Sequence, residues 1–197
     1  RWEKKLRLMC HRIMVIDDLA NRTHDCDLLL DQNIGRKPSD YAKYVPQRCK
    51  VVVGPKYALI RPDFVEFRKY SLKRREIPQR SQLLIMMGGV DKDNLTSLVL
   101  DNLSPETLPL TFKIKIVMGV HSPWIDQVRE KSLDMPWPTE VLVNIKDMAK
   151  LIAESDLAIG AAGTSILERC CLGLPTLTVI QAENQREGAI ALQKINA

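Results

Sequence analysis

The chain has 197 residues, of which 45% are hydrophobic and 27% are charged, so it can bury a core as one large domain or two small ones. Its net charge of +5 is mild and indicates a solvated surface, although a field that attracts sugar nucleotides or other polyanions is compatible with it. No basic stripe interleaved with aromatic residues occurs, and no apolar run approaches the roughly 20 residues that span a bilayer. We therefore expect a globular protein that binds neither nucleic acid nor a membrane.

The cysteines favour a reducing compartment. They are five in number, an odd count, and none lies in a C-x-x-C pair. This usage fits free thiols better than a disulfide framework. We expect a cytoplasmic protein.

The first third of the chain predicts three short strands whose ends carry polar residues. After a basic helix over Trp2–Cys10, the strands are expected at Arg12–Ile16, Leu28–Leu30 and Val51–Val53. Carboxylates at the carboxyl end of a buried strand lie where α/β proteins build their clefts, although a turn or a helix cap is the alternative. The polar residues in question are Asp17 and Asp18 after the first strand and Asp31, Gln32 and Asn33 after the second.

The composition shifts sharply around Phe67–Arg80, which is polar and strongly basic. We interpret residues 67–80 as a linker between an amino-terminal domain of residues 1–66 and a second domain of residues 81–197. In the second domain, apolar strand patterns alternate with helix patterns. This alternation predicts βαβ crossovers and a doubly wound parallel sheet.

One stretch of the second domain has the form of an anion site. The apolar run Leu157–Ile159 predicts a strand, Gly160–Gly163 a loop without bulky side chains, and Thr164 and Ser165 the cap of a helix. Bare backbone lets a phosphate approach, and free helix N–H groups face it. The alternative is that small residues merely let the helix pack on the strand.

Two further loops follow strands in the same domain, namely Gly88–Asn94 and Gln181–Gln185. The carboxyl ends of a parallel sheet open on one edge, so the three loops should converge. Neither glycine-rich loop matches the P-loop pattern or the G-x-G-x-x-G dinucleotide fingerprint. The sequence therefore predicts a nucleotide or phosphosugar site of another type.

The histidines offer no recognised catalytic or metal-binding pattern. His24 lies beside Asp25 and Cys26, but this cluster lacks the spacing of a metal site and is more typical of a plain polar loop. We interpret His11 as structural and His121 as a surface cap, with entry into a cleft as its alternative. No nucleophile elbow of the form G-x-S-x-G occurs. We expect no metal and no redox cofactor.

Five stretches together carry a family resemblance: VIDDLANRTHDCDLLLDQN, GPKYALIRPDF, MMGGVDKDN, IGAAGTSILERCCLGLP and AENQ. In this order they resemble the UDP-sugar hydrolases of bacterial pseudaminic acid biosynthesis, which act on UDP-2,4-diacetamido-2,4,6-trideoxy-β-L-altropyranose. The second half is also similar, more distantly, to the MurG-like N-acetylglucosaminyltransferases. The resemblance implies an α/β fold of the GT-B type, with two Rossmann-like units and a UDP-sugar substrate between them.

The resemblance also implies roles for individual residues. Ala161, Gly163, Thr164 and Ser165 would face the diphosphate, and Glu168 would take the ribose hydroxyls. The neighbouring edge and the sugar would be contacted by Gly88, Gly89, Asp91, Asn184 and Gln185, and the amino-terminal half of the cleft would hold Asp17, Asp18, Arg22 and Asn33.

The sequence departs from the family in one respect. The family's catalytic histidine lies in a Gly-x-Gly-His type motif, which this sequence does not contain, and His11, His24 and His121 do not match it. Both ends look like cuts through a fold, so we expect a fragment whose amino-terminal unit is incomplete and which does not turn over alone. A GT-B glycosyltransferase and a non-catalytic sugar-nucleotide-binding module remain the alternatives to a hydrolase.

Overall fold

The structure is a computed structural model that describes residues 2–77, 81–106 and 108–195. The chain divides into two compact units, the first formed by Arg1–Leu59 with Ala182–Ala197 and the second by Ile60–Gln181. No helix within the described residues combines the length and the apolar character that a membrane span requires.

Seven α-helices and eight β-strands are found in the described residues. In chain order they are α1 (Trp2–Leu6), β1 (Met14–Ile16), β2 (Leu28–Asp31), β3 (Lys50–Val53), α2 (Pro62–Arg75), β4 (Gln82–Met86), α3 (Leu95–Asn102), β5 (Lys113–Met118), α4 (Ile125–Leu133), β6 (Thr139–Val143), α5 (Met148–Glu154), β7 (Leu157–Ala161), α6 (Ser165–Cys171), β8 (Thr176–Val179) and α7 (Glu183–Lys194). Short 3₁₀ helices cover Pro38–Tyr41 and Pro55–Tyr57.

The first unit contains a three-stranded parallel sheet in the order β1-β2-β3. Its core is small and is built on Ile13, Val15, Cys26, Leu29 and Tyr41, all of them buried. The predicted strands are confirmed here to within two residues at each end. The predicted first helix is shorter than expected, since α1 ends at Leu6.

The second unit is a five-stranded parallel sheet in the order β6-β5-β4-β7-β8. After β4, the chain first adds β5 and then β6 on one side of it, and later adds β7 and then β8 on the other side. The strand order therefore reverses between β4 and β7, which pair directly with Met86 opposite Gly160. In open α/β sheets such a reversal leaves a crevice at the carboxyl ends of the two central strands.

Two hydrophobic clusters cover the two faces of this sheet. Alternate residues of one strand serve opposite clusters, as the pleat requires: Leu83 and Ile85 of β4 belong to one, and Leu84 and Met86 to the other. Strands buried on both faces read as continuous apolar runs, which is why the sequence predicted them well.

The segment predicted as a linker is largely helical and belongs to the second unit. Helix α2 spans Pro62–Arg75 and so covers most of residues 67–80, of which 78–80 lie outside the described residues. Phe64 is fully buried and Phe67 packs against the same cluster. The rest of the buried face is polar, so the apolar periodicity that marks an amphipathic helix is missing.

Three polar side chains of α2 bind the ends of two other helices. Arg75 donates from Nε to Leu172 O at 3.0 Å, from Nη1 to Ser155 O at 2.7 Å and from Nη2 to Ile152 O at 3.0 Å. The hydroxyl of Ser71 donates to the same Leu172 carbonyl at 2.7 Å, and Arg68 donates to Cys171 O. These acceptors lie at the carboxyl ends of α5 and α6, where helix carbonyls lack intrahelical partners and the dipole favours a cation.

We predict that Arg75→Met destabilises the second unit by about 2–4 kcal/mol, because three helix-end carbonyls lose a charged donor and one of them, Ser155 O, has no other donor among the described residues. Lys73→Met, an exposed change on the same helix, is the matched control and should stay within about 0.5 kcal/mol of the parent chain. Urea unfolding followed by circular dichroism measures both. Equal stabilities for the two variants would contradict the role given to Arg75.

Candidate functional site

The loops that follow β4 and β7 meet at one edge of the five-stranded sheet. Their strands are hydrogen-bonded neighbours, and β8 pairs with β7 on the other side. Gln181, just beyond β8, donates from Nε2 to Met87 O at 2.9 Å, which ties the end of β8 to the end of β4. The convergence predicted for Gly88–Asn94 and Gly160–Ser165 is therefore present within this unit.

The loop after β4 has an open side and a packed side. Gly88 has a φ of +89° and Gly89 follows it; a Cβ on either would meet nothing within 4 Å. On the packed side, a Cβ on Gly119 at the end of β5 would lie 2.1 Å from Gly89 O, so only glycine fits there. The backbone of the two glycines is thus held from one side and exposed on the other.

Asp91 shapes this loop and does not present a free carboxylate. Its side chain is buried; Oδ1 accepts from Leu95 N and Oδ2 accepts from Thr96 N, both at 2.9 Å. These amides are the first of α3, where a carboxylate is favoured by the free donors and by the dipole. The carboxylate of Asp91 holds the loop against α3, and its expected place at the ligand edge remains a prediction.

The loop after β7 exposes consecutive backbone donors. Ala162 N donates to Val179 O at 2.9 Å, and Ile166 N donates to Gly163 O at 3.0 Å. Between them, the amides of Gly163, Thr164 and Ser165 have no acceptor in the part of the chain that the structure describes. Successive free N–H groups in a turn form a concave site for an anion.

The hydroxyls of this loop do not cap α6, contrary to expectation. Thr164 makes no side-chain cap hydrogen bond, because its backbone is already helical (φ −56°, ψ −30°) whereas a capping residue is normally extended. The Ser165 hydroxyl accepts from Arg169 Nη1 at 3.1 Å. Both hydroxyl protons are therefore available at the open end of the loop.

Arg169, which was not among the predicted site residues, lies buried beside this loop. Only 1% of the residue is exposed, and its Nη2 donates to Ala161 O at 2.7 Å. A Cβ on Gly160 would come within 2.9 Å of Nη1 and 3.1 Å of Cζ, so Gly160 makes room for the guanidinium. The alternative explanation of the small residues, that they allow helix to pack on strand, applies at this glycine.

Arg169 forms no salt bridge with a carboxylate of the described residues, although the charge of the neighbouring Glu168 attracts it from beyond salt-bridge distance. Burial lowers its pKa to about 10, so the guanidinium stays protonated at neutral pH. Its Nε is buried without an acceptor in the described part of the chain. A basic residue four positions after Ser165, on the side of the helix that faces Gly160, is the sequence signal that could have identified it.

Glu168 carries an open carboxylate on the next position of the same helix. The residue is half-buried, and its side-chain oxygens accept no hydrogen bond from the described residues. Burial raises its pKa and the nearby Asp63 adds to the shift, while Arg61 and Arg169 oppose it. Such a carboxylate is suited to accept hydrogen bonds from a pair of hydroxyls.

In the first unit, Asp17 forms a turn rather than an open ligand site. Its side chain is buried; Oδ2 accepts from Ala20 N at 2.9 Å and from the Tyr41 hydroxyl at 3.1 Å, and Oδ1 accepts from Arg22 at 3.1 Å. Burial alone raises the pKa of Asp17, but these donors and the neighbouring His24 outweigh it and the pKa is lowered. The turn alternative stated for Asp17 is the one that the geometry favours.

The other polar residues of this unit lie close by and contact one another. Asp18 is exposed, and its carbonyl accepts from Asn33 Nδ2 at 3.3 Å and from Arg36 Nη2 at 2.8 Å. Arg22 is largely exposed at its side chain. The structure thus brings Asp17, Asp18, Arg22 and Asn33 together at the carboxyl ends of β1 and β2.

His24 is a buried paired residue rather than a plain polar loop residue. Its Nδ1 lies 2.8 Å from Glu3 Oε1 and its Nε2 lies 3.5 Å from Asp17 Oδ1. No group of three or more His, Cys, Asp or Glu side chains within residues 2–77, 81–106 and 108–195 is arranged to hold a metal ion. His11 and His121 are exposed.

Asn184 and Gln185 lie in the first turn of α7, which belongs to the first unit. The glycine loops and Glu168 belong to the second unit. The role expected for Asn184 and Gln185 remains a prediction.

Curated relatives include a UDP-2,4-diacetamido-2,4,6-trideoxy-beta-L-altropyranose hydrolase of Campylobacter jejuni, 30% identical over 183 residues that make up 93% of this chain and 62% of the hydrolase. The spore coat polysaccharide biosynthesis protein SpsG of Bacillus subtilis is 31% identical over 143 residues, or 72% of this chain and 41% of SpsG. The uncharacterized protein MJ1062 of Methanocaldococcus jannaschii is 28% identical over 93% of this chain and 38% of its own length. The chain thus spans less than two thirds of each of these relatives.

Among solved structures, MurG of Acinetobacter baumannii superposes with a TM-score of 0.64 at 19% identity, covering 99% of this chain and 54% of MurG. WaaG, a glycosyltransferase involved in lipopolysaccharide biosynthesis, gives a TM-score of 0.51 at 14% identity, covering 100% of this chain and 72% of WaaG. These likenesses confirm the predicted α/β fold of the GT-B type with parallel sheets.

Residues 82–197, more than half of the chain, match the family described as "Glycosyltransferase family 28 C-terminal domain". The match begins at the first strand of the five-stranded sheet and includes both glycine loops, Glu168 and Arg169. The chain belongs to the glycosyltransferase family 28 C-terminal domain family.

Proposed function

We propose that this chain binds a UDP-sugar at the carboxyl edge of its five-stranded sheet, as part of an enzyme that hydrolyses a UDP-linked diacetamido-trideoxy sugar. The observation that carries the proposal is the row of free amides at Gly163–Ser165, placed next to the open carboxylate of Glu168. The substrate for which the Campylobacter jejuni relative is named supports the choice of sugar.

The diphosphate and the ribose occupy different parts of the loop after β7. The amides of Gly163, Thr164 and Ser165 donate to diphosphate oxygens, with Ala161 at the base of the loop. Glu168, one turn into α6, accepts from the ribose hydroxyls, since a carboxylate has acceptors for both. Gly88 and Gly89 border the site, because their open side leaves room for a ligand at the adjacent strand end.

Asn184, Gln185, Asp18, Arg22 and Asn33 belong to the first unit, and we keep for them, as proposals, the sugar-binding roles that the family resemblance implies. Asp17 takes part indirectly, because its carboxylate fixes the turn that carries Leu19 and Ala20.

The proposed reaction is attack of water on the anomeric carbon, with UDP as the leaving group. Negative charge develops on the diphosphate as the bond breaks, and fixed amide donors stabilise that charge without having to reorganise. The loop amides therefore lower the barrier for departure of UDP. Removal of a proton from the water requires a general base, which we do not assign to His11, His24 or His121.

Transfer of the sugar to an acceptor is the second candidate. The family to which the chain belongs is named for glycosyltransferases, and this observation favours it. Both reactions use the same UDP site, and they differ in whether UDP is released with water alone or only when an acceptor sugar is present.

We predict that the 197-residue chain binds UDP more tightly than 2′-deoxy-UDP, and that Glu168→Gln removes most of this preference. Replacing the carboxylate by an amide removes a charged acceptor for the ribose hydroxyls, so the affinity for UDP should fall about tenfold. Isothermal titration of both ligands against both proteins measures the effect. Glu130→Gln, an exposed carboxylate change on α4, is the matched control and should leave both affinities unchanged.

The Glu168→Gln variant also tests how the affinity for UDP depends on pH. Because the pKa of Glu168 is raised by burial, the carboxylate becomes protonated at a higher pH than an ordinary glutamate. The affinity for UDP should therefore be full above that pKa and decline as the pH falls through it, and the decline should be absent in Glu168→Gln. An unchanged preference for the 2′-hydroxyl in the variant would remove Glu168 from the site.

We predict that this chain releases no UDP from a UDP-linked diacetamido-trideoxy sugar, with or without an acceptor, although it binds UDP. Its sequence contains no Gly-x-Gly-His motif to supply the base. A coupled assay for free UDP measures turnover. Release of UDP by this chain with water alone would show that a group we have not assigned acts as the base.

A further inference from the structure

The buried guanidinium of Arg169 lies directly behind the loop that carries the free amides. It contacts both sides of that loop, since Nη2 donates to Ala161 O before the loop and Nη1 donates to Ser165 Oγ after it. A fully buried cation is costly unless it is paired, and buried arginines normally find a carboxylate. Arg169 forms no such salt bridge in the part of the chain that the structure describes, and Glu168 acts on its charge only from a longer distance.

We propose that Arg169 is a positioning residue whose charge, held in no salt bridge among the described residues, makes this loop selective for an anionic ligand, with the bound diphosphate as its counter-charge. The inference rests on the proposed function and adds the residue that distinguishes a nucleoside diphosphate from an uncharged nucleoside. Arg169 does not touch the ligand; it acts through Ser165 and through the shape of the loop.

The hydroxyl of Ser165 transmits the charge. A serine hydroxyl has one proton to donate and lone pairs that accept, and one lone pair is occupied by Nη1 of Arg169. A hydroxyl that accepts from a cation becomes a stronger donor, because hydrogen bonds in a chain polarise one another. The proton of Ser165 can then be donated to a diphosphate oxygen beside the free amides of Gly163 and Thr164.

The strand next to the loop is adapted to hold this side chain. Gly160 lies in the middle of the sheet, where a larger apolar residue would normally fill the core, and a Cβ there would meet the guanidinium within 2.9 Å. The buried Nε has no acceptor among the described residues, so they do not supply the arginine with a complete set of hydrogen bonds. If the side chain at this position served only to pack the helix on the strand, an apolar residue of similar size would do so without the cost of desolvating a charge.

The experiment compares UDP with uridine on the same proteins. Affinities for both ligands are measured by competition against a fluorescent UDP analogue, for the 197-residue chain and its Arg169→Gln and Arg169→Lys variants. We expect Arg169→Gln to weaken UDP binding about tenfold and to leave uridine binding unchanged, because the glutamine keeps a donor but loses the charge. Arg169→Lys should retain part of the UDP preference, since it keeps the charge without the planar fork.

Arg129→Gln is the matched control, an exposed arginine on α4 whose loss should leave the ratio of the two affinities unchanged. A purely structural role for Arg169 would weaken both ligands equally, so an unchanged ratio in Arg169→Gln would overturn the inference. If the parent chain binds uridine and UDP equally, or neither, the proposed function itself fails. If Arg169→Gln does not fold, Gly160→Ala serves as the second variant, because the added methyl group shifts the guanidinium but leaves the arginine in the chain. An unchanged ratio of the UDP and uridine affinities in Gly160→Ala would then overturn the inference.

Discussion

The parallel pairing of β4 with β7 is the constraint on which the candidate site depends. These strands are far apart in sequence, and their register sets Met86 opposite Gly160, so that the chain leaves both strands at the same level of the sheet. Small residues begin within two positions of the end of each strand, at Gly88 after β4 and at Ala162 after β7, which leaves backbone rather than side chains at the meeting point. A shift of register by one residue would exchange the buried faces of β7 and separate the two loops.

Polar contacts as well as apolar packing hold the loops and helices at both ends of the strands of this sheet. Asp91 binds the amides of α3, Arg75 binds the carbonyls that end α5 and α6, and Arg169 holds both sides of the loop after β7. Each of these side chains satisfies helix-end or loop groups that water would otherwise have to reach. The loop amides of Gly163–Ser165 have no acceptor among the residues that the structure describes, and this is the physical basis for proposing that they receive an anion.

The sequence alone was enough to predict the parallel sheets, but it was not enough to predict the buried polar contacts. Strands such as β4 and β7 are buried on both faces and appear as apolar runs, so their positions and their parallel arrangement followed from pattern alone. Helix α2 was interpreted as a linker, because its buried face uses Ser71 and Arg75 to bind carbonyls, and no periodicity of apolar residues reveals such contacts. The burial of Arg169 was not predicted for the same reason, since a charged residue on a helix is expected to lie in solvent unless its partners are known.

The central claim is that the amides after β7 receive the diphosphate of a uridine nucleotide. Its most direct test is a titration of the ¹⁵N-labelled chain with UDP, followed through the amide resonances of Gly163, Thr164 and Ser165. The account predicts that these resonances move downfield together and saturate with the same dissociation constant as the titration measured by calorimetry. If they remain unshifted while UDP binds, the nucleotide lies elsewhere and the assignment of this edge is wrong.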